Sequence, residues 1–307
     1  MWTKPWKFAE GFLIGIGLMV AGLILELTVG PVVWDAFRWP SNAVVLAGFV
    51  LMILAMHLLR SRVYAFRYLS TYQAAIPAMT YAVVLTIVMG LNRQTADGRW
   101  LNNMLVFWPF VFIYVYMAVI VGLVVMKQPL RRWNASRVVA MLFHLGLFIA
   151  MTTATLGNAD MQRLKMVTET GQKEWRAYDP QGRIVELPLT IELKQFIMET
   201  YDDGSPKRFA SEIQIQTKSG QSLLTTVDVN KPVEVEGWKI YQYGYDTQMG
   251  AMSDTSILEL VSDPWLPYVY VGIYMMLLGA VCMFVLGGKI NRKSQTVKKQ
   301  MVNYIKR

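Results

Sequence analysis

Six apolar runs, each close to the length needed to cross a bilayer, constrain this 307-residue chain more than any other feature. A helix needs roughly 20 apolar residues to span the hydrocarbon core, and about 17–25 are tolerated. As helices, such runs satisfy their own backbone hydrogen bonds in lipid. The runs are Phe8–Val29, Ala43–Leu59, Ala75–Leu91, Met104–Met126, Val138–Leu156 and Trp265–Gly287. The sequence therefore predicts a membrane α-helical bundle of about six transmembrane helices.

The first run has the flanking charge of a secretory signal, because Lys4 and Lys7 precede it. It is longer than a signal core of about 7–15 residues, and no clean small-x-small cleavage site follows it. We therefore expect a retained helix. The single cysteine, Cys282, lies in the last apolar run, so the chain by itself offers no cysteine pair for a disulfide or for dithiol exchange.

Charge is distributed unevenly along the chain. Of its 30 basic and 21 acidic residues, residues 157–264 hold 11 and 17, which leaves 19 and 4 for the remainder. Basic residues concentrate at alternate ends of the apolar runs, and such residues in short loops stay in the cytoplasm. Sixteen lie on the side of the N-terminus: Lys4, Lys7, Arg60, Arg62, Arg67, Lys127, Arg131, Arg132, Arg137, Lys289, Arg292, Lys293, Lys298, Lys299, Lys306 and Arg307. The opposite loops hold Arg38, Arg93 and Arg99.

This asymmetry predicts a multi-pass protein of the bacterial inner membrane with both termini in the cytoplasm. Residues 1–156 are expected to form a region of five transmembrane helices, and residues 157–264 a periplasmic domain. Residues 265–288 are expected to form the last transmembrane helix, and residues 289–307 a basic cytoplasmic tail. A basic tail beside a membrane is expected to contact lipid, so the positive net charge does not indicate a nucleic-acid partner.

Within residues 157–264 the apolar period changes to two, which predicts an extracytoplasmic antiparallel β-rich domain, a sandwich or a barrel-like sheet. The alternating segments are Ile213–Thr217, Leu223–Val229, Val233–Gly237, Trp238–Tyr243 and Ser256–Val261. Tyr241, Tyr243 and Tyr245 are two residues apart and are expected on one face of a strand. That face is either packed or a surface for a ligand or peptide. The domain contains neither histidine nor cysteine, so a binding role is expected rather than catalysis.

Both histidines of the chain, His57 and His144, fall within apolar runs. They are predicted to lie about 3 Å and about 9 Å from the cytoplasmic ends of their helices. Ionisable side chains in a span are functional hypotheses, and neutral imidazole is an axial ligand of haem iron. His57 is also close enough to the interface for a purely structural role. Basic residues at the same edge are candidates for holding the haem propionates: Arg60, Arg62, Arg131, Arg132 and Arg137.

Small residues and carboxylates in the spans leave further alternatives open. Gly146, Ala150 and Ala154 form a stripe that allows close approach of a neighbouring helix or of a flat ligand. Glu10 and Glu26 lie near opposite ends of the first run. Glu26 is interpreted as an interfacial carboxylate, with a proton-relay role as the alternative.

Three stretches together resemble the ResB family, also called CcsB, of System II cytochrome c maturation. The first is Phe143-His-Leu-Gly-Leu-Phe-Ile, directly before the outer domain. The second begins at Phe209-Ala-Ser-Glu-Ile-Gln-Ile and runs through Val229-Asn-Lys-Pro to Tyr241-Gln-Tyr-Gly-Tyr. The third is Ser262-Asp-Pro-Trp-Leu-Pro, in which Trp265 replaces the usual glycine. The resemblance covers roughly residues 137–286, with weaker similarity in the first two runs.

The resemblance implies a haem-handling subunit of a cytochrome c synthase that is not catalytic alone. A CcsA/ResC-type membrane partner would supply the Trp-rich attachment segment, and haem b would be passed to the CxxCH thiols of an apocytochrome c. A thioredoxin-like thiol reductant is a further implied partner. By position, His144 matches the membrane histidine that ligates haem together with a partner histidine. His57 lacks this support and is either a local second ligand or an interfacial polar residue.

Two other functions remain open at this point. Two histidines in one chain also fit a haem b-containing membrane anchor, a quinol-oxidising subunit of an extracytoplasmic reductase. A transporter without haem is supported only by Gly11, Gly15, Pro77 and the intramembrane carboxylates. The runs Ala75–Leu91 and Met104–Met126 exceed the family minimum of about four spans, and the resemblance assigns them no role.

Overall fold

The computed structural model describes the backbone of residues 3–95, 98–127 and 135–305, and the side chains of residues 3–95, 98–127 and 137–285. The chain divides into two compact units. One comprises residues 1–159 and 265–307 and is helical, and the other, residues 160–264, is a β-sheet domain. The expected combination of a helical membrane bundle and an antiparallel β-rich domain is confirmed.

Six helices are long and apolar enough to cross a membrane, and each coincides with one of the predicted runs. In the last two helices the apolar stretches are residues 137–157 and 266–285. A seventh, shorter helix lies between the second and third spans. The helices are α1 (Phe8–Thr28), α2 (Ser41–Leu59), α3 (Tyr64–Leu69), α4 (Tyr72–Leu91), α5 (Trp108–Lys127), α6 (Ala135–Gly157) and α7 (Leu266–Ile305).

Helix α5 begins at Trp108, four residues later than the run Met104–Met126 predicts. Residues Met104–Val106 form a 3₁₀ turn instead. Pro109 lies in the first turn of α5, where its missing N–H removes no intrahelical hydrogen bond. Half of the α5 span is buried, more than of any other span, because α1, α2, α4 and α6 all contact it. Helix α5, one of the two additional spans, thus lies at the centre of the helical unit.

A side chain of the short helix α3 replaces a backbone hydrogen bond that is missing from α4. Pro77 lies inside α4 and cannot donate a hydrogen bond to the carbonyl of Gln73, one turn earlier. The hydroxyl of Tyr68 on α3 donates to that carbonyl at 3.0 Å and lies 2.9 Å from the carbonyl of Lys7. Burial raises the pKa of Tyr68 to about 12, so the hydroxyl stays protonated at neutral pH. Gly11 of α1 provides the space for this contact, since a Cβ there would lie 2.7 Å from the Tyr68 hydroxyl.

Residues 160–264 form a single eight-stranded antiparallel sheet with the strand order β5-β4-β3-β2-β1-β8-β7-β6. Its two halves fold over one continuous apolar core, because β5 also contacts β6 and β7 from the other end of the order. The sequence predicts the five later strands, whereas β1–β3 were not predicted. The strands are β1 (Gln162–Glu169), β2 (Lys173–Tyr178), β3 (Ile184–Thr200), β4 (Pro206–Thr217), β5 (Ser222–Asp228), β6 (Val233–Val235), β7 (Trp238–Tyr245) and β8 (Thr255–Ser262).

A buried polar cluster joins strands that are not neighbours in the sheet. Ser211 Oγ of β4 lies 2.6 Å from Gln242 Oε1 of β7 and 2.8 Å from Ser256 Oγ of β8. Gln242 Nε2 donates to the carbonyl of Gly244 at 2.8 Å, so the amide is satisfied at both ends. Buried polar groups in a low-dielectric core hold a unique arrangement when all are paired. This cluster therefore fixes β4 against β7 and β8.

The expectation that three tyrosines share one face of β7 is wrong for Tyr245. A register shift between Gln242 and Gly244 inserts an extra residue into the strand. Tyr241 stays opposite Glu259 on the outer face, whereas Tyr245 pairs with the fully buried Ser256. The Tyr245 ring stacks between Phe196 and Phe209 at centroid distances of 4.8 and 5.1 Å. The outer face keeps Tyr241 and the exposed Tyr243.

An ion-pair network connects β3, β4 and β5. The Arg208 guanidinium donates from Nε and Nη2 to both carboxylate oxygens of Asp228, at 2.5 and 3.1 Å, and from Nη1 to Glu199 at 2.9 Å. The hydrogen bonds from Arg208 hold the pKa of Asp228 below its ordinary value. Because the folded pKa is depressed, the stabilisation is present above the ordinary aspartate pKa of about 3.9 and is lost as the pH falls through the folded pKa.

We therefore expect Asp228→Asn to lower the melting temperature of the β-sheet domain at pH 7 by an amount on the order of a few degrees. The difference from the parent protein should shrink towards zero as the pH falls through the depressed folded pKa of Asp228, because the parent carboxylate then becomes neutral as well. Asp202→Asn, which removes an exposed carboxylate of the β3–β4 hairpin, is the matched control. A difference that persists unchanged at acid pH would contradict the ionic origin of this stabilisation.

Candidate functional site

His144 on α6 has one ring nitrogen committed and the other available. Its Nδ1 lies 2.6 Å from the backbone carbonyl oxygen of Ala140, one turn earlier on the same helix. A carbonyl oxygen only accepts hydrogen bonds, so Nδ1 carries the proton. In the neutral ring, Nε2 then bears the lone pair. The partly buried imidazole is also held edge-on by Phe143, at 5.4 Å between ring centroids. This geometry is typical of metal-ligating histidines, whose second nitrogen is oriented by a carbonyl or a carboxylate.

His57 on α2 has the opposite arrangement. Nη1 of Arg60 lies 3.3 Å from His57 Nδ1, and a guanidinium only donates hydrogen bonds. Nδ1 of His57 is therefore the acceptor, and the proton of the neutral ring sits on Nε2. In this tautomer His57 offers a hydrogen-bond donor through Nε2 rather than a lone pair for a metal ion. The two histidines thus differ chemically although both lie in membrane spans.

The contact of α5 with α2 and α6 shows where the two histidines lie relative to each other. Gly122 of α5 lies against Ile53 of α2 and Phe148 of α6, and a Cβ on it would lie 2.6 Å from Ile53 Cδ1 and 3.0 Å from Phe148 Cε2. His57 follows Ile53 by one turn, and His144 precedes Phe148 by one turn, on the same helix faces. The two helices run in opposite directions, since Asn42 near the start of α2 donates to the carbonyl of Leu156 near the end of α6. Both imidazoles therefore lie on the same side of this contact.

That side is the end of the bundle that carries the basic residues, here called the basic end. Among the arginines predicted to hold propionates, Arg60 contacts His57 directly. Arg137 lies two turns before His144 on the same face of α6, about 10 Å away along the axis, and its side chain is exposed. Arg131 and Arg132 lie outside the described residues. The structure therefore places Arg60 and Arg137 at the edge of the region that both histidines face.

The small-residue stripe on α6 packs against helix α7. A Cβ on Gly146 would lie 2.5 Å from the backbone nitrogen of Met276 and 2.6 Å from the carbonyl oxygen of Gly272, both on α7. A Cβ on Gly272 would in turn lie 2.5 Å from the nitrogen of Ala150. The neighbouring-helix alternative is thus confirmed for Gly146 and Ala150, whereas Ala154 is exposed. Helix α7 occupies this face of α6, and His144 lies on the face directed towards α2 and α5.

The intramembrane carboxylates lie at helix N-termini. Glu10 Oε2 accepts the backbone N–H of Lys7 at 2.7 Å, which caps the start of its own helix α1. Glu26, also on α1, accepts the N–H of Trp108 at 3.3 Å and so lies at the start of α5. Each negative charge meets the positive end of a helix dipole. Both side chains are buried, and this electrostatic role agrees better with fixed carboxylates than with a proton relay.

The glycines and the proline behind the transporter hypothesis are also packing residues. Gly11 faces Pro77 and Tyr68, and Gly15 faces the ring of Tyr81. The sequence did not single out Gly122 or Phe148, although they define how α2, α5 and α6 meet. A signal for Gly122 was available, since it is the one small residue in the bulky segment Val119-Ile-Val-Gly-Leu-Val-Val.

Comparison with known proteins finds a family that part of this chain resembles. Residues 131–257 match the ResB-like family. The matching segment contains α6 with His144 and most of the β-sheet domain, whereas α1–α5 and α7 lie outside it. The resemblance to the ResB/CcsB family is thereby confirmed, and residues 131–257 are the part of the chain that is similar to it.

Three curated relatives carry the name cytochrome c biogenesis protein CcsB. The protein of Prochlorococcus marinus (strain MIT 9303) is 32% identical over 127 residues, 39% of this chain and 28% of that protein. The protein of P. marinus subsp. pastoris (strain CCMP1986 / NIES-2087 / MED4) is 29% identical over 38% of this chain and 26% of its own length. The protein of Synechococcus sp. (strain RCC307) is 29% identical over 36% and 25%. The chain thus spans about a quarter of the length of the curated relatives it matches.

Among solved structures, the chain is similar to a protein titled cytochrome c heme lyase CcmF. The superposition has a TM-score of 0.38 and a sequence identity of 13%, and it covers 92% of this chain and 46% of that one.

Proposed function

We propose that this chain is a haem-handling membrane subunit of a cytochrome c synthase. The observation that carries the proposal is His144, whose Nδ1–H is fixed by the Ala140 carbonyl and whose Nε2 is free to ligate iron. Support comes from its position in the family-matching segment, whose relatives are named for cytochrome c biogenesis. In this function the chain does not transfer haem alone but holds haem b for attachment to an apocytochrome c.

The residues around His144 fit the other features of haem. Arg60 and Arg137 offer guanidinium donors for propionate carboxylates at the basic end, and His57 adds an N–H donor beside Arg60. The second iron ligand then comes from a CcsA/ResC-type partner, since the tautomer of His57 favours donation over ligation. With the basic end in the cytoplasm, haem enters from the inner leaflet and the β-sheet domain lies in the periplasm.

Attachment of haem to an apocytochrome c requires two further partners, the apocytochrome itself and a thiol reductant. Thioether formation needs reduced thiols in the CxxCH motif of the apocytochrome. This chain contains Cys282 as its single cysteine and cannot cycle a dithiol by itself, so a thioredoxin-like reductant is assigned to another protein. Apocytochrome binding is assigned to the β-sheet domain, which contains neither histidine nor cysteine.

Deleting the reading frame in its own host tests this function. We expect c-type cytochromes to lose covalently bound haem, seen by haem staining of denaturing gels, while b-type haem in the same membranes persists. A copy of the gene in trans should restore the stained bands. Normal haem attachment in the deletion strain would contradict the proposal. Haem retained by the isolated chain without a partner, and reducible by a quinol analogue, would favour the membrane-anchor alternative.

A further inference from the structure

A second group of basic residues at the basic end surrounds an aromatic cluster instead of a histidine. The ring of Tyr64, on α3, has Lys4 Nζ 4.9 Å and Arg67 Cζ 5.4 Å from its centroid. The Tyr64 hydroxyl accepts the backbone N–H of Trp6 at 3.0 Å, and the Trp6 ring packs edge-on against Tyr64 and Tyr68. These five residues, Lys4, Trp6, Tyr64, Arg67 and Tyr68, are called the Tyr64 cluster. Two cations are thus held over one fixed ring.

The positive charge of the Tyr64 cluster is not neutralised within the described part of the chain. Neither Lys4 nor Arg67 takes part in the ion pairs found among the described residues. The carboxylate of the adjoining helix turn, Glu10, is buried and bound to the N–H of Lys7. The cation–π contacts position the two side chains but leave their charge and their N–H donors available. The cluster therefore presents two positioned cations to an anion.

The surface that continues from these cations along the helices is apolar. Phe8 on α1 and Tyr72 on α4 touch at 5.9 Å between centroids and are 40% and 64% exposed. One turn further into the spans, Phe12 and Ile76 are also exposed. The chain leads directly from Lys4 to Phe8 and from Arg67 to Tyr72. Cations at the end of a span and an exposed apolar strip below them match a phosphate headgroup with an acyl chain, whereas a soluble phosphate needs no apolar strip.

We infer that the Tyr64 cluster is a binding site for one anionic phospholipid. The lipid phosphate lies between Lys4 and Arg67, and an acyl chain lies along Phe8, Phe12 and Ile76. The site lies on α1, the residues just before it, α3 and α4, outside the family-matching segment and on different side chains from His144 and Arg60. It does not depend on haem, so it can hold or fail independently of the proposed function.

Binding of short-chain phosphatidylglycerol to the delipidated full-length protein in detergent tests the inference, with native mass spectrometry counting bound lipids. We expect Lys4→Gln combined with Arg67→Gln to weaken binding by about twenty-fivefold, since each cation near an anionic lipid contributes about fivefold. Both side chains are exposed, so the fold is expected to survive, and circular dichroism checks this. Tyr64→Leu, which removes the ring under both cations, should weaken binding in the same direction.

The matched control is Arg93→Gln combined with Arg99→Gln, the same charge change in the loop at the opposite end of α4. It should leave phosphatidylglycerol binding unchanged. Equal losses in both double variants, or phosphatidylcholine binding as tightly as phosphatidylglycerol, would overturn the site. Full competition by inorganic phosphate alone would overturn the lipid assignment, because it would make the apolar strip irrelevant.

Discussion

His144→Ala is expected to abolish the bis-histidine Soret absorption of the chain purified with its haem-binding partner. Covalent haem attachment to c-type cytochromes should fall at least about tenfold, because loss of even an outer-shell partner of a metal ligand costs about 10–100-fold. Both losses are expected because His144 can ligate iron only through Nε2. Nδ1 is committed to Ala140, so Nε2 alone can ligate, and alanine offers no imidazole in its place. Absorption spectra and haem staining measure the two effects.

His57→Ala is the matched control, since it removes the other partly buried histidine at a similar level of the bundle. The Soret band should keep its bis-histidine position, because Arg60 already occupies Nδ1 of His57 and the remaining nitrogen is protonated. Propionate binding should weaken, seen as faster haem loss to a soluble haem acceptor. A spectrum lost in His57→Ala and retained in His144→Ala would reverse the roles assigned to the two histidines.

Gly146→Leu is expected to separate α6 from α7 and to destabilise the helical unit strongly. Even a methyl group at this position meets backbone atoms of Gly272 and Met276 at 2.5–2.6 Å, and backbone cannot rotate away as a flexible side chain could. Overpacking a tight contact costs about 1–3 kcal/mol or more, so Gly146→Ala should already lower the apparent free energy of unfolding. The leucine variant should lose most folded protein, measured by size-exclusion chromatography and thermal unfolding in detergent.

Gly48→Leu provides the matched control for this prediction. Gly48 lies within the α2 span, and a Cβ built on it meets no described atom within 4 Å. Leucine also has a higher helix propensity than glycine, by up to about 1 kcal/mol. The control should therefore be as stable as the parent protein or slightly more stable. Similar losses at positions 48 and 146 would mean that glycine-to-leucine changes act through insertion into the membrane and not through the α6–α7 contact.

The family resemblance assigns no role to α4 and α5. In the structure both helices have a packing role. Helix α5 is the most buried span and packs against both α2 and α6 at Gly122. Helix α4 contributes Pro77 to the contact with α1 and Tyr72 to the exposed strip beside the Tyr64 cluster. Helix α5 thus shapes the region on which the histidines depend, whereas α4 supports α1 and the strip beside the Tyr64 cluster. Neither helix lies in the family-matching segment.

The sequence by itself determined the six spans, the β-rich character of the outer domain and the resemblance of residues 131–257 to the ResB-like family. These features follow from local patterns: a helix in lipid must be apolar over its whole length, and a half-buried strand must alternate. The sequence also identified both histidines as the ionisable residues that a span would not carry without cost. Depth in the span and the family resemblance already favoured His144 as the ligand, but hydropathy and spacing contain no information on which ring nitrogen has a partner.

Only the tertiary structure decided the contacts made across the sequence. Arg60 fixes the tautomer of His57, Tyr68 satisfies the carbonyl freed by Pro77, and Glu26 lies at the start of a helix 82 residues away. The bulge that turns Tyr245 inward depends on how β7 pairs with β8, and the glycine face of α6 depends on where α7 approaches. In each case a polar group forms a hydrogen bond with, or a surface packs against, a residue that lies outside the local sequence pattern. Burial and hydrogen bonding are properties of the assembled chain, so such partners become visible only once the helices and strands are packed.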